Sequence, residues 1–133
     1  MTGCVFCAHD YEAIFEDDVV AIVLHEDWAV RGHAMVIARR HVENISDLTP
    51  DEWQRVATVY RIAERALLEL TGAERAIVMK LGIATPHLHL HIYPVAATAT
   101  RGEVMDAIDA RTKAVYDARF IEAFRASLTP AIE

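Results

Sequence analysis

His87-Leu88-His89-Leu90-His91-Ile92-Tyr93-Pro94 is the stretch on which the reading of this chain turns. Histidine and apolar residues alternate along it with a period of two, the period of a β-strand. The three imidazoles therefore share one face, and Leu88, Leu90 and Ile92 share the other. A single histidine on such a face is commonly a satisfied core residue, whereas three in register point to chemistry. Alternate side chains on a strand stand about 6.6 Å apart, which sets the outer two on the order of 13 Å apart, while zinc takes nitrogens at about 2.0–2.1 Å. All three cannot share one ion without distortion, so they divide their work. A row of imidazoles suits phosphoryl or nucleotidyl transfer: a neutral ring attacks phosphorus in line, and its neighbours hold the equatorial oxygens and protonate the leaving group. Mutual repulsion is expected to separate their titrations, leaving one neutral and another protonated near pH 7.

Working outward, Ala76 to Leu81 reads as a strand that reaches the histidines through a short loop, Gly82 to Pro86. Val19 to Leu24 and Ala34 to Ala38 are two further strands, adjacent across an Arg31-Gly32 turn signal. Between them and the histidines, Thr49-Pro50-Asp51-Glu52 is a capping box with proline at the first helical position. The helix it opens runs to about Leu70. Trp53, Val56, Ala57, Tyr60, Ala63 and Leu67 mark its buried face, and Gly72 supplies a left-handed stop. Thr100-Arg101-Gly102-Glu103 repeats the capping box before Val104, Ile108 and Val115. Phe120, Ile121, Phe124 and Leu128 continue an amphipathic trend after a break near Asp117. The sum is one α+β domain over residues 1–133: an antiparallel sheet, a long helix and a helical C-terminal extension over about 100–129.

A chain of 133 residues, 53% hydrophobic and 25% charged, has the balance of an ordinary globular domain. Its formal net charge of −7 repels polyanions, so a nucleic-acid polymer is not an expected partner, and any anionic ligand must be small and held in a local pocket. No run approaches the ~20 apolar residues of a membrane span and no signal core opens the chain, which predicts a cytoplasmic protein without a membrane partner. Glu16-Asp17-Asp18 and Glu26-Asp27 read as solvated loops at strand ends, and His9 as a surface residue. Trp28, Tyr93 and Phe6 are candidates for either core or a base pocket.

Only two cysteines occur, in Cys4-Val5-Phe6-Cys7. A two-residue spacing lets both thiolates face one ion and is a common half of a tetrahedral zinc site. A redox dithiol and two incidental thiols in a reducing compartment are the competing readings.

The alternating histidines, together with a second block running Arg31-Gly32-His33-Ala34-Met35-Val36-Ile37-Ala38-Arg39-Arg40-His41 and on through Ser46-Asp47-Leu48, resemble the histidine triad (HIT) family over about residues 4–95. The resemblance implies a HIT-like fold and makes His89 the nucleophile, forming a covalent phospho-imidazole intermediate. His91 would contact the phosphate and leaving group, and His33 matches a fourth histidine that organises the site. In zinc-containing branches, among them the galactose-1-phosphate uridylyltransferases, the remaining metal ligands match His41 and His87. That completes a structural zinc site of Cys4, Cys7, His41 and His87.

Where many members carry a glutamine-containing phosphate segment, this chain has Lys80-Leu81-Gly82-Ile83-Ala84-Thr85-Pro86. Lys80, Thr85 and the amides around Gly82 are the available substitutes, although Lys80 reads equally as a solvated strand-end charge. The usual ribose-binding position falls on His25, which can still hydrogen-bond a hydroxyl. The family further implies a homodimer, paired through the long helix and a neighbouring strand. The expected function is a hydrolase or nucleotidyl transferase acting on a nucleoside phosphoanhydride or phosphoramidate. The alternatives are a noncatalytic nucleotide-binding regulatory module with a structural zinc, and, more remotely, a protein whose histidines serve only ions.

Overall fold

The computed structural model describes residues 4–110, 112 and 117–132. Five strands form one antiparallel sheet in the order β1-β2-β3-β5-β4, with β1 at Phe15–Glu16, β2 at Val20–Leu24, β3 at Ala34–Ala38, β4 at Arg75–Met79 and β5 at His89–Val95. A long helix, α1 (Pro50–Thr71), joins β3 to β4, and α2 (Arg101–Ala110) and α3 (Ala118–Ile132) follow β5. This is the expected α+β fold.

The sheet has two unlike faces because its central strands alternate. Ile22, Ala34, Val36, Leu90 and Ile92 join one core with Val56, Val59, Ala63 and Leu67 of α1 and with Phe120, Phe124 and Leu128 of α3. Burying each of the larger side chains contributes about 1.5–3 kcal/mol. The opposite face carries the histidines. Its register sets His89 opposite Ile37 and His91 opposite Met35 on β3, and Cys4, Phe6, Val23 and Ile37 form a smaller cluster there.

Helix α1 begins as its sequence requires. Thr49 accepts from the Glu52 amide, Glu52 accepts from the Thr49 amide, and Pro50 opens the first turn. Gly72 ends the helix at φ 74°, in the left-handed region that glycine adopts without strain. The buried stripe is Val56, Val59, Ala63, Ala66 and Leu67. Trp53, expected on that stripe, lies 38% exposed, because burial along the helix starts one turn later, at Val56. Thr100 and Glu103 likewise form the reciprocal pair that opens α2. Val104 is buried and Ile108 half-buried there, and Val115 lies outside the described residues.

Two further expectations are corrected. Strand β5 starts at His89 rather than His87: the His87 amide turns back to the Thr85 carbonyl at 2.8 Å and the Leu88 amide bonds Val42 at 2.6 Å. The acidic run at 16–18 is also more than a solvated loop. The Asp17 carboxylate accepts from the Val19 and Val20 amides, each at 2.8 Å, and from Arg55 of α1 at 2.7 Å, which pins the turn entering β2 to the helix. Among the described residues no helix is long and apolar enough to cross a membrane.

Candidate functional site

On the histidine face opens a cavity of about 1010 Å³, lined by His25, His33, His89, His91, Thr85 and Tyr93 among others. That volume stands at the top of the range for small-molecule sites. Strand β5 supplies His89 and His91, and the loop between β2 and β3 supplies His25 and His33. The edge from 81 to 85 supplies one rim, and Phe6 brings the N-terminal segment onto His89 with ring centroids 4.9 Å apart.

Hydrogen bonds fix which nitrogen of each ring carries its proton. His89 Nδ1 lies 2.6 Å from the His87 carbonyl, which can only accept, so Nδ1 holds the proton and Nε2 keeps its lone pair. His33 Nδ1 donates to the Asp27 carbonyl at 3.1 Å, and the Asp27 amide donates to His25 Nδ1 at 2.9 Å. Both groups of one peptide segment thus orient two rings of the site. With His33 committed at Nδ1, its Nε2 accepts from His91 Nδ1 at 2.9 Å. The neutral His91 is left with a lone pair at Nε2, and the amide bond at His25 Nδ1 places a proton on that ring's Nε2. His25 stacks on His33 at 4.4 Å with planes 6° apart, and Tyr93 packs on His33 at 4.2 Å.

Burial makes these imidazoles hard to charge. Desolvation first, then the neighbouring histidines, lowers His33 to about 3 and His91 to about 4. Desolvation also lowers His89, helped by the charge of Lys80. The expectation of one neutral and one protonated ring near pH 7 is therefore corrected for the ligand-free site, because desolvation acts on all three in the same direction. A neutral His89 with a directed lone pair can act as a nucleophile.

Beside the pocket, Cys4, Cys7, His41 and His87 converge. The four sulfur-to-nitrogen separations run from 3.1 to 3.6 Å, and the two Nδ1 atoms lie 3.1 Å apart. A tetrahedral zinc with bonds of about 2.3 Å to sulfur and 2.0–2.1 Å to nitrogen has donor edges of roughly 3.3–3.8 Å. The donor set fits that shape closely. His87 donates Nε2–H to the Ala38 carbonyl at 2.6 Å, so its Nδ1 lone pair faces the cysteines, the usual way in which a hydrogen bond prepares a metal ligand. Burial pushes the Cys4 thiol up, but the Cys7 amide and side chain on its sulfur outweigh that and bring it below its ordinary value.

Of the residues singled out from sequence, Thr85 lines the cavity, as do His25, His33, His89 and His91, while Lys80 is exposed and outside the lining. Phe6, Trp28 and Tyr93 all line it. The contribution of the Asp27 main chain carried no sequence signal, since any residue has an amide and a carbonyl. The second histidine group, His25, His33 and His91, also has its nitrogens within 4.8 Å of one another. However, the Asp27 amide occupies the Nδ1 lone pair of His25 and so puts a proton at Nε2, which argues for hydrogen-bond work there.

Known proteins share this fold. The model of the HIT domain family matches residues 8–98. Among solved structures, a zinc-bound histidine triad family protein from Mycobacterium smegmatis superposes with a TM-score of 0.67 at 26% identity, covering 96% of this chain and 94% of its own. A hypothetical histidine triad nucleotide-binding protein from Sulfolobus tokodaii superposes with a TM-score of 0.70 at 21% identity, covering 97% and 91%. A Bradyrhizobium japonicum histidine triad protein gives 0.68 at 22% identity, covering 95% and 93%.

Proposed function

Since this chain belongs to the HIT domain family, we propose that it is a nucleotide phosphohydrolase or nucleotidyl transferase that cleaves a phosphoanhydride or phosphoramidate through His89. The observation that carries this is the His89 ring: buried, held by the His87 carbonyl at 2.6 Å and aimed by it, with Nε2 unprotonated beside a large cavity. In the first step the Nε2 lone pair forms a bond to phosphorus, and the bond from phosphorus to the leaving atom breaks. The leaving atom departs with that electron pair and takes a proton. His91 is neutral in the empty site, and a bound phosphate anion raises its proton affinity, so it acquires the proton that it passes on. Water, or an acceptor hydroxyl in a transferase, then attacks phosphorus and returns the lone pair to His89. His25 offers Nε2–H to ribose or phosphate, and the Thr85 hydroxyl lies at the phosphate rim.

Cys4, Cys7, His41 and His87 fit a structural zinc, which would fix the strand entry that carries His89. All four ligand positions are protein atoms, so the ion leaves no open coordination site for substrate. We also propose a homodimer: β4 is an edge strand, and Val78 on it is 55% exposed. A reducing compartment such as the cytoplasm suits the two thiolates. The exposed position of Lys80 outside the cavity favours one second reading, a nucleotide-binding module without turnover.

Turnover of a panel of adenosine and guanosine phosphoramidates and dinucleoside polyphosphates separates the two. Hydrolysis by wild type that is lost in His89→Ala, with nucleotide affinity retained, supports the enzyme. Tight binding with no turnover of any member supports the module.

A further inference from the structure

The loop over 25–33 carries His25 and His33, and hydrogen bonds close it on itself. The His25 amide donates to the His33 carbonyl at 2.9 Å and the His33 amide to the Val30 carbonyl at 3.1 Å, while the Asp27 main chain holds both rings. These bonds shape the loop, and none of them reaches outside it. Where the loop stands relative to β5 is set by packing against helices that follow residue 98, where the family match ends.

Phe120 of α3, 4% exposed, meets three residues of the loop. Trp28 stands edge-on to its ring at 5.5 Å, the Arg31 guanidinium lies over the ring at 4.7 Å, and a Cβ on Gly32 would lie 3.4 Å from its Cζ. The helix end that presents Phe120 is tied to the same loop. The Asp117 carboxylate accepts from the Phe120 amide at 3.2 Å and pairs with Arg31 at 3.5 Å. Further along α3, Phe124 and Leu128 sink into the main core, and Arg125 donates to the carbonyls of Ala13 and Ile14, each at 3.4 Å. From α2, Val104 belongs to the cluster on which Ala29 and Val30 pack. Ile108 of α2 and Ile121 of α3 also wall the cavity.

His33 follows Gly32 directly, and its Nε2 must stand 2.9 Å from His91 Nδ1. A loop displaced by about 1 Å would stretch that bond past the ~3.2 Å range of good hydrogen bonds. His91 would then lose the acceptor that fixes its proton, and a neutral imidazole without such a partner exchanges between its two tautomers.

We propose that Phe120 is a positioning residue: from α3 it sets the 25–33 loop so that His33 Nε2 accepts from His91 Nδ1, and so decides which nitrogen of His91 keeps its lone pair. Phe120 is not among the residues lining the cavity, so it acts through the loop. Its effect on turnover rests on the catalytic reading above, whereas its effect on the His91 proton does not.

The test uses the zinc-loaded full chain without nucleotide at pH 7, with proton–nitrogen correlation spectra of the imidazoles. Wild type is expected to show His91 as one neutral tautomer, protonated at Nδ1. In Phe120→Leu both His91 nitrogens should move toward averaged values. Leu128→Ala, two turns or about 12 Å further along the same helix, should keep the wild-type pattern even though it also empties core volume. Arg31→Gln removes the exposed side of the clamp without touching the core, so it decides the matter should Phe120→Leu fail to fold, and its His91 signals should move in the same direction. Thermal melting shows which variants are folded. A wild type that already mixes tautomers, a folded Phe120→Leu (or, failing that, Arg31→Gln) with the wild-type pattern, or an equal change in Leu128→Ala would overturn the proposal. With an adenosine phosphoramidate, kcat/KM should fall about fivefold in Phe120→Leu and hold in Leu128→Ala, and equal falls would count against positioning. If wild type turns over nothing, the catalytic reading fails and the His91 signals still decide the role of Phe120.

Discussion

His87 and His89 are joined by one hydrogen bond of 2.6 Å, from the imidazole Nδ1 of His89 to the carbonyl of His87. The same His87 turns its own Nδ1 to within 3.4 Å of Cys4 Sγ and donates Nε2–H to Ala38 at 2.6 Å. One residue thus orients the nucleophile through its main chain and closes the cysteine and histidine cluster through its side chain.

Cys7→Ser tests that linkage. Losing one of four ligands should lower bound zinc, measured by metal analysis, from about one ion per chain to a small fraction. With a stability loss of about 3 kcal/mol, Tm should fall by roughly 10 °C. Full zinc content and an unchanged melting curve in the variant would remove the metal from the account.

His33→Ala removes the acceptor that fixes the proton of His91 at Nδ1. Turnover should fall about tenfold, the equivalent of one net hydrogen bond of ~1.4 kcal/mol, while zinc content stays at the wild-type level. Steady-state kinetics beside metal analysis checks both halves. A variant as fast as wild type would show that His91 needs no partner.

Much of this was legible in the sequence because alternation, caps and turn glycines act locally. The period-two stretch gave the face that His89 and His91 share, and Thr49 with Glu52 gave the start of α1. The start of β5 was not legible, since the turn of the His87 amide toward Thr85 depends on the tertiary position of the cysteine and histidine cluster. Nor was the exposure of Trp53, because helical spacing alone does not tell where along α1 the sheet begins. The neutrality of His91 was missed because repulsion between rings is visible in sequence and burial is not. The Asp27 main chain and the walls supplied by Ile108 and Ile121 come from the tertiary fold alone.

Acid should unfold the protein early, and His33 is one cause. Its unfolded value is about 6.5, whereas in the fold burial lowers it to about 3. Above pH 6.5 neither state takes up this proton. Below it the unfolded chain does and the fold does not, so stability is lost as pH falls from about 6.5 toward 3, by up to ~1.4 kcal/mol per pH unit for this group. Denaturant melts at pH 7, 6 and 5 should show a shallower decline in His33→Gln than in wild type. Parallel declines would mean that His33 is not held neutral.

Gly32 precedes His33 at φ 86°, and a Cβ there would lie 2.9 Å from Thr71 Cγ2. The Thr71 hydroxyl holds the Leu67 carbonyl at 2.7 Å, so its rotamer has a reason to stay. Gly32→Ala should therefore cost about 2 kcal/mol, roughly 7 °C in Tm, and should lower turnover by displacing His33. Calorimetry gives the first number, and an unchanged Tm would contradict the close packing of this turn.

The central claim is that His89 Nε2 bonds to phosphorus. Acid is avoided when the reaction with an adenosine phosphoramidate is stopped, because a phospho-imidazole is acid-labile, and the intact protein and its peptides are weighed by mass spectrometry. The account predicts one nucleotidyl group on the peptide carrying His89 during turnover, and none in His89→Ala, which still binds the nucleotide. Steady turnover by wild type with no adduct at any time, or the same turnover in His89→Ala, would contradict it.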